Sequence, residues 1–278
     1  MFNIFQKKLP NNAPDFLIIG AQKAGTTALY NYLTNHNYIQ GSKIKEIHFF
    51  NSDDRYSKGL ELYHSYFLDK EDKKILNFEA SPSYLVNEKA CERIYNYNKN
   101  IKIIVLLRNP IERAYSAWNM YVQRYEKNIN WFFDNWANKY NQKSNFIQRD
   151  KDNIFDFYKY IKEEIKYIHK EPNSIVEAPV IIHGYYSTQI KRYYEKFPQK
   201  NILIIENQDL NYNTINELQR IENFLKIPNF NWNKNNIKKI FKGQYKQQID
   251  NKSIKLLREL YDPHNQELFD LIGKKYTW

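Results

Sequence analysis

The chain has 278 residues, with 42 Lys and Arg against 31 Asp and Glu, a formal net charge of +11. Its 42% hydrophobic and 26% charged residues exclude a disordered chain, and only 7 glycines and 9 prolines exclude collagen-like and low-complexity classes. The single cysteine, Cys91, excludes a disulfide framework and a Cys-based zinc site, while the excess of positive charge points to an anionic ligand of unspecified kind.

Residues 1–13 are polar and close on Asn and Pro, which predicts a flexible leader before a single domain over 14–278. Asp15–Gly20 reads as a buried strand, short, apolar and closed by Gly20. Thr26–His36 places Leu29, Tyr30 and Leu33 on one helical face. The pattern recurs, with a strand at Ile75–Glu79, a helix at Asn87–Asn98 and a buried strand at Ile101–Leu107. Pro110 sits in the first turn of the next helix, where proline is tolerated. Residues 128–173 are rich in Asn, Lys and aromatics. Trp131, Phe132, Phe133, Trp136 and Tyr140 fit helical spacing, so this stretch is expected to be a helical insert, packed on the core or walling a cleft. Then follow a helix at Tyr186–Phe197, a strand at Asn201–Ile205, a helix at Thr214–Leu225 and a C-terminal helix at Ser253–Ile272 interrupted at Pro263. Apolar strands alternating with helices predict an α/β fold, a P-loop-type parallel sheet flanked by helices.

The longest apolar runs, Phe16–Ala21 and Ile103–Leu107, are far too short to cross a bilayer, and the N-terminus shows no signal-peptide core. A cytoplasmic protein without a membrane anchor is expected. Lys residues are interleaved with Glu and Asp and no nucleic-acid motif appears, so no nucleic-acid partner is expected. His36, His64, His169, His183 and His264 lack metal-ligand spacing, and no metal site is expected. Cys91 reads as a small buried side chain.

Gly20-Ala-Gln-Lys-Ala-Gly-Thr-Thr27 falls between a strand and a helix, where backbone N–H groups and the helix dipole favour an anion. Gly20 and Gly25 allow close backbone approach, and Thr26 and Thr27 supply hydroxyls at the helix start. A Walker A loop needs Lys directly after its last Gly, whereas Lys23 lies two residues before Gly25. A P-loop kinase or NTPase, the alternative reading, also needs a carboxylate for magnesium. Here the strand Ile101–Leu107 runs into Arg108, so the charge at that strand end is positive. Arg108 offers a planar fork of donors to a phosphate and Ser116 adds a hydroxyl.

The Gly20–Thr27 loop and Arg108-Asn-Pro-Ile-Glu-Arg-Ala-Tyr-Ser-Ala-Trp118 together resemble the two nucleotide-binding segments of the sulfotransferases that use 3′-phosphoadenosine-5′-phosphosulfate (PAPS), the heparan-sulfate-type branch and its bacterial relatives above all. The resemblance extends through Lys45–Phe50, Phe78–Tyr84, the stretch from His183 to Leu210 and Phe241–Tyr245. It implies that Gln22, Lys23, Ala24, Gly25, Thr26 and Thr27 hold the 5′-phosphosulfate, with Lys23 on the oxygen bridging phosphorus and sulfur. It implies that Arg108 and Ser116 hold the 3′-phosphate, and that Lys242 and Gly243 lie on a late loop near the nucleotide. Gln244 stands where the family usually has Arg, and Ala80 where it often has Lys, a substrate contact of carbohydrate-acting relatives. The implied reaction moves a sulfuryl group from PAPS to a hydroxyl or amine, releasing 3′-phosphoadenosine-5′-phosphate (PAP), without a metal. Glu46 matches the family's catalytic carboxylate. His48 would share its face in an extended segment and is the alternative base. Glu79 reads as a carboxylate that orients Lys23 or a loop, or as a further acid-base group. The expected acceptor is a small specialised metabolite such as an alkaloid, with a carbohydrate or glycolipid as the alternative.

Overall fold

The computed structural model describes residues 9–129, 154–170, 178–233, 237 and 248–278. Its contacts divide the chain into two compact units, one formed from residues 1–107 and 192–241, the other from 108–191 and 242–278.

The first unit is built on a five-stranded sheet of β1 (Phe16–Gly20), β2 (Ile39–Gly41), β3 (Leu76–Ala80), β4 (Lys102–Leu107) and β5 (Ile202–Glu206) in the order β2-β3-β1-β4-β5. All four pairings are parallel, with Phe16 opposite Phe78 and Lys102, and Ile103 opposite Ile202. Parallel strands covered on both faces need continuous apolar sequence, and β1 and β4 supply it: Phe16–Ile19 and Ile103–Leu107 are fully buried. The expected α/β class is the observed one. α1 (Thr26–Leu33) packs on β2 and β3, and Tyr30 and Phe78 bring their rings to 4.9 Å. α2 (Asp53–Ser57), α3 (Gly59–Ser65) and α4 (Glu88–Tyr97) follow the edge and central strands. Cys91 of α4 is buried, as its composition suggested, and burial pushes its thiol up to about 12. At the end of the expected leader, Asn11 and Asn12 donate side-chain hydrogen bonds to the Lys70 and His64 carbonyls, and Ala13 is buried.

The second unit gathers α5 (Pro110–Lys127), α6 (Phe157–Lys170) and the C-terminal helix around an aromatic core that includes Tyr115, Trp118, Tyr121, Phe157, Tyr160 and Tyr261. α6 gives the later part of the expected insert its helical form; Trp131, Phe132, Phe133, Trp136 and Tyr140 lie outside the described residues. α7 (Tyr186–Lys196) spans the unit boundary, and α8 (Asn207–Tyr212) and α9 (Thr214–Leu225) pack on β5 in the first unit.

One expectation is corrected. The C-terminal helix, α10 (Asn251–Ile272), runs unbroken through Pro263. A proline inside a helix costs about 3 kcal/mol through its missing N–H and its clash with the preceding turn. Leu257, Tyr261, Asn265 and Leu268 bury one face of α10 on both sides of Pro263, and that packing outweighs the local cost.

Buried and half-buried tyrosines fasten the loops. Tyr30 donates to the Ser42 carbonyl at 2.7 Å and Tyr193 to that of Tyr84 at 2.9 Å in the first unit. In the second, Tyr160, Tyr186 and Tyr261 donate to the carbonyls of Ala178, Arg108 and Ile181 at 2.8, 3.0 and 2.9 Å.

Candidate active site

β1 delivers the chain to its carboxyl end and turns it into α1 within a few residues. Its pairing with β4 shifts register between Ile18 and Gly20, after which Ala21 donates its N–H to the Leu106 carbonyl. A Cβ on Gly20 would lie 2.6 Å from that of Leu85, so only glycine fits. Gly25, the N-cap of α1, has φ +100°, and a side chain there would also meet the Asn207 amide at 2.9 Å. Asn207, the first residue of α8, donates to the Ala24 carbonyl at 2.9 Å and fixes the loop from outside. No side chain caps α1 and no acidic residue lies in its first turn. A helix start without a capping side chain or an acidic first turn leaves its dipole and N-terminal amides suited to a phosphate or sulfate. Lys23 stands in this loop in the left-handed region, φ 68°. Thr26 and Ala24 are buried, while Gln22, Lys23 and Thr27 are half-buried.

After β2 the chain crosses the end of β3, where the Glu46 amide donates to the Ala80 carbonyl at 3.1 Å. The segment is not the extended one the sequence suggested: Glu46 and His48 both adopt left-handed backbone, φ 62° and 54°. With Lys23, three of the five non-glycine residues of positive φ among the described residues belong to the candidate site, where strained backbone concentrates in functional proteins. Two left-handed residues flanking Ile47 still bring the side chains together, with His48 Nε2 lying 3.6 Å from Glu46 Oε2. Lys45 Nζ donates to Glu46 Oε1 at 2.5 Å. Burial pushes the Glu46 carboxyl up, but hydrogen bonding from His48 and the hydrogen bond and charge of Lys45 outweigh it and hold the group at about 2. Glu46 is 44% exposed, so this ionised carboxylate meets solvent.

Glu79, at the penultimate position of β3, is fully buried and serves the loop-orienting role. Its Oε1 accepts from Tyr63 at 2.7 Å and Tyr84 at 3.0 Å, and its Oε2 accepts from Ser81 at 2.7 Å. Desolvation raises its pKa against these three donors. The same hydroxyls carry the segment bearing Glu46 and His48: Ser81 Oγ accepts from the His48 amide at 3.2 Å, and the Tyr84 hydroxyl accepts from the Phe49 and Phe50 amides at 2.9 and 3.4 Å. Ser83 Oγ lies 3.0 Å from His48 Nδ1.

In the second unit, Asn109 caps α5 by accepting from the Ile111 amide at 3.0 Å, and Pro110 occupies its first turn as expected. Arg108 lies just before this cap. Its Nε and Nη2 both donate to Glu112 Oε2, at 3.1 and 3.0 Å. Ser116 is buried one turn beyond Glu112 on the same helical face. Deeper, the fully buried Arg113 donates to the Val180 carbonyl, while Glu164 of α6 accepts the Val180 and Ile181 amides at 2.9 and 2.8 Å. Burial and the Arg113 charge push His183 down to about 3, which favours the neutral imidazole. Lys242 and Gly243 lie outside the described residues.

Sequence reasoning missed Lys45, Ser81, Ser83, Tyr63 and Tyr84. Lys45 stood beside the motif in plain sight; the others are joined to it only by the fold. Among the described residues, no three His, Cys, Asp or Glu side chains gather as a metal site, and no helix is long and apolar enough to cross a membrane.

A parallel sheet with a glycine-bounded loop after its first strand, and a held carboxylate beside the third, defines an α/β protein with a nucleotide-type loop. Comparison with known proteins makes the class specific: the sulfotransferase domain family matches residues 13–270, and the chain belongs to it. The chain is a sulfotransferase. It is 27% identical over 289 residues to mouse heparan sulfate glucosamine 3-O-sulfotransferase 5, covering 97% of this chain and 75% of that one. It is 28% identical over 297 residues to the bifunctional heparan sulfate N-deacetylase/N-sulfotransferase 1 of Xenopus laevis, spanning 97% of this chain but 31% of that larger protein. The fold matches the crystal structure of a sulfotransferase from Alicyclobacillus acidocaldarius with a TM-score of 0.69 at 21% identity, over 95% of this chain and 98% of that one.

Proposed function

We propose that the protein transfers the sulfuryl group of PAPS to a hydroxyl, with Lys23 and Glu46 at the two ends of one in-line displacement. Family membership carries the reaction class, and the Lys45-Glu46-His48 cluster carries the choice of base: it is a partly exposed carboxylate held ionised by two neighbours. A new sulfur–oxygen bond forms to the acceptor as the bond to the bridging phosphate oxygen breaks, and the electron pair goes to that oxygen. The Lys23 ammonium meets the charge developing there, while Glu46 takes the proton leaving the acceptor. Gln22–Thr27 bind the 5′-phosphosulfate in this reading, and Arg108 and Ser116 bind the 3′-phosphate, with Arg108 exchanging its Glu112 partner for the ligand. Lys242 and Gly243 are assigned to the nucleotide-side loop on the family resemblance.

The acceptor we put first is a glucosamine-containing saccharide, on the likeness to relatives named for heparan sulfate. A small non-carbohydrate acceptor, an alkaloid or other specialised metabolite of the cytoplasm, is the second reading. It is favoured by Ala80, a buried methyl where carbohydrate-acting relatives often carry Lys. The test is transfer of labelled sulfate from PAPS to desulfated heparan oligosaccharides and to an alkaloid panel, in excess EDTA. Label on a saccharide hydroxyl supports the first reading, and label on an alkaloid alone replaces it with the second. Absence of transfer to any acceptor, or rescue by magnesium, refutes the proposal.

A further inference from the structure

We propose that Ser83 is a positioning residue for the base, acting through His48; this rests on the sulfuryl-transfer reading above. Ser83 sits in the 3-10 turn Pro82–Tyr84 directly after β3, half-buried, with its Oγ 3.0 Å from His48 Nδ1. The other ring nitrogen faces Glu46 Oε2 at 3.6 Å, and Lys45 occupies Glu46 Oε1 at 2.5 Å. Both oxygens of the carboxylate and both nitrogens of the imidazole thus have assigned partners. The backbone alone does not hold this arrangement, because Glu46 and His48 stand in a region that non-glycine residues seldom adopt. Side-chain contacts must fix the ring.

A hydroxyl suits that task in both charge states of the imidazole. When the ring is neutral and its Nε2–H points at the Glu46 carboxylate, Nδ1 carries a lone pair and Ser83 donates to it. When the ring is protonated, Nδ1–H donates and Ser83 Oγ accepts. The ring therefore keeps Nε2 on Glu46 throughout a change of charge nearby. An alanine removes the partner of Nδ1 and leaves the ring end held by the 3.6 Å contact of Nε2 with Glu46, so its direction is less tightly fixed. Among the described residues, the charged groups around this segment include Lys45 and Glu46 themselves, Arg55 of α2, which donates to the Ile47 carbonyl, and Glu79 of β3, whose carboxyl interacts electrostatically with His48. Ser81 Oγ holds the His48 amide at 3.2 Å, so backbone and ring are anchored by two different serines of one turn.

The experiment compares wild type, Ser83→Ala and Ser83→Thr as full-length proteins. The readouts are kcat, KM for PAPS and the pH profile of kcat, together with long-range ¹H–¹⁵N spectra of the histidine rings, with His48 assigned by His48→Ala. Ser83→Ala is expected to lower kcat roughly tenfold, the worth of one such hydrogen bond, with KM for PAPS within about twofold of wild type. Its pH profile shifts, its His48 nitrogens show a changed tautomer balance, and Ser83→Thr restores all three. A folded Ser83→Ala enzyme with wild-type kcat and pH profile overturns the proposal, as does failure of Ser83→Thr to restore them. If the wild-type protein transfers nothing from PAPS, the sulfuryl-transfer reading has failed and the spectra decide alone. An unchanged His48 ring in Ser83→Ala then overturns the positioning role, and a changed ring sustains it.

Discussion

Tyr84→Phe tests how the segment bearing Glu46 and His48 is held. The ring is fully buried, so the substitution removes one oxygen and leaves the packing in place. That oxygen serves three groups: it donates to Glu79 at 3.0 Å and accepts from the amides of Phe49 at 2.9 Å and Phe50 at 3.4 Å. Loss of a hydrogen bond to a carboxylate costs about 1.5–3 kcal/mol, and a buried amide left without a partner about 1–3 kcal/mol. Glu79 keeps Tyr63 and Ser81, so its loss falls at the low end, and the 3.4 Å bond from Phe50 is weak beside the 2.9 Å bond from Phe49, so a total of about 3 kcal/mol follows. For a chain of this size that corresponds to a fall of roughly 6–12 °C in Tm. Tyr63→Phe is the control, since its hydroxyl serves Glu79 alone among these groups and should cost about half as much. Thermal unfolding measures both, and hydrogen exchange should show the Phe49 amide opening in Tyr84→Phe only. Equal, small losses of under about 1 kcal/mol in the two variants would refute the view that one hydroxyl carries the segment bearing Glu46 and His48.

Further outcomes concern the chemistry. Lys23→Ala should lower kcat by roughly 10²–10³ with a modest loss of nucleotide affinity, and Glu46→Gln by about 10²–10⁴ with PAP binding unchanged; steady-state kinetics and calorimetry check both. Arg108→Ala should weaken PAP by a few kcal/mol, roughly the worth of charge-assisted hydrogen bonds to a phosphate, yet leave AMP nearly unaffected, so equal losses for the two ligands would remove Arg108 from the 3′-phosphate. Lys45→Ala should move the acid limb of the kcat/KM profile to higher pH. Glu46 is held down at about 2 partly by that cation, so without it the carboxylate protonates sooner as pH falls. An acid limb that stays in place would assign it to another group.

Most of the sheet was legible because parallel strands must be apolar on both faces, and Phe16–Gly20 and Ile101–Leu107 contain little else. β2 escaped because three residues, Ile39–Gly41, carry no period. α2 and α3 escaped because Asp53–Ser57 and Gly59–Ser65 are too short to display an apolar stripe. The loop Gly20–Thr27 and the neighbourhood of Glu46 and His48 were legible as motifs, but the geometry uniting Glu46 and His48 was not. Left-handed backbone at a Glu and a His has no sequence signature, and an extended segment was the natural default. The hydroxyls around Glu79 come from Tyr63, Ser81 and Tyr84, and only the return of α3 to β3 brings the first of these into reach. Pro263 misled for the opposite reason: a strong local rule was overruled by the face that α10 buries.

The tyrosine hydroxyls that pin Ser42, Tyr84, Arg108, Ala178 and Ile181 all grip main-chain carbonyls. A carbonyl is the same whatever side chain its residue bears, so these fastenings are blind to the sequence of the loops they hold. Ser42 or Ala178 could be exchanged without undoing the anchor, whereas a change of Tyr30 or Tyr160 to Phe would release it. The divergence of such a scaffold is thereby channelled: the loop letters drift and new surfaces are tried, while a few ring oxygens set back from the surface keep the path of the chain. Libraries aimed at a new acceptor should spare these tyrosines.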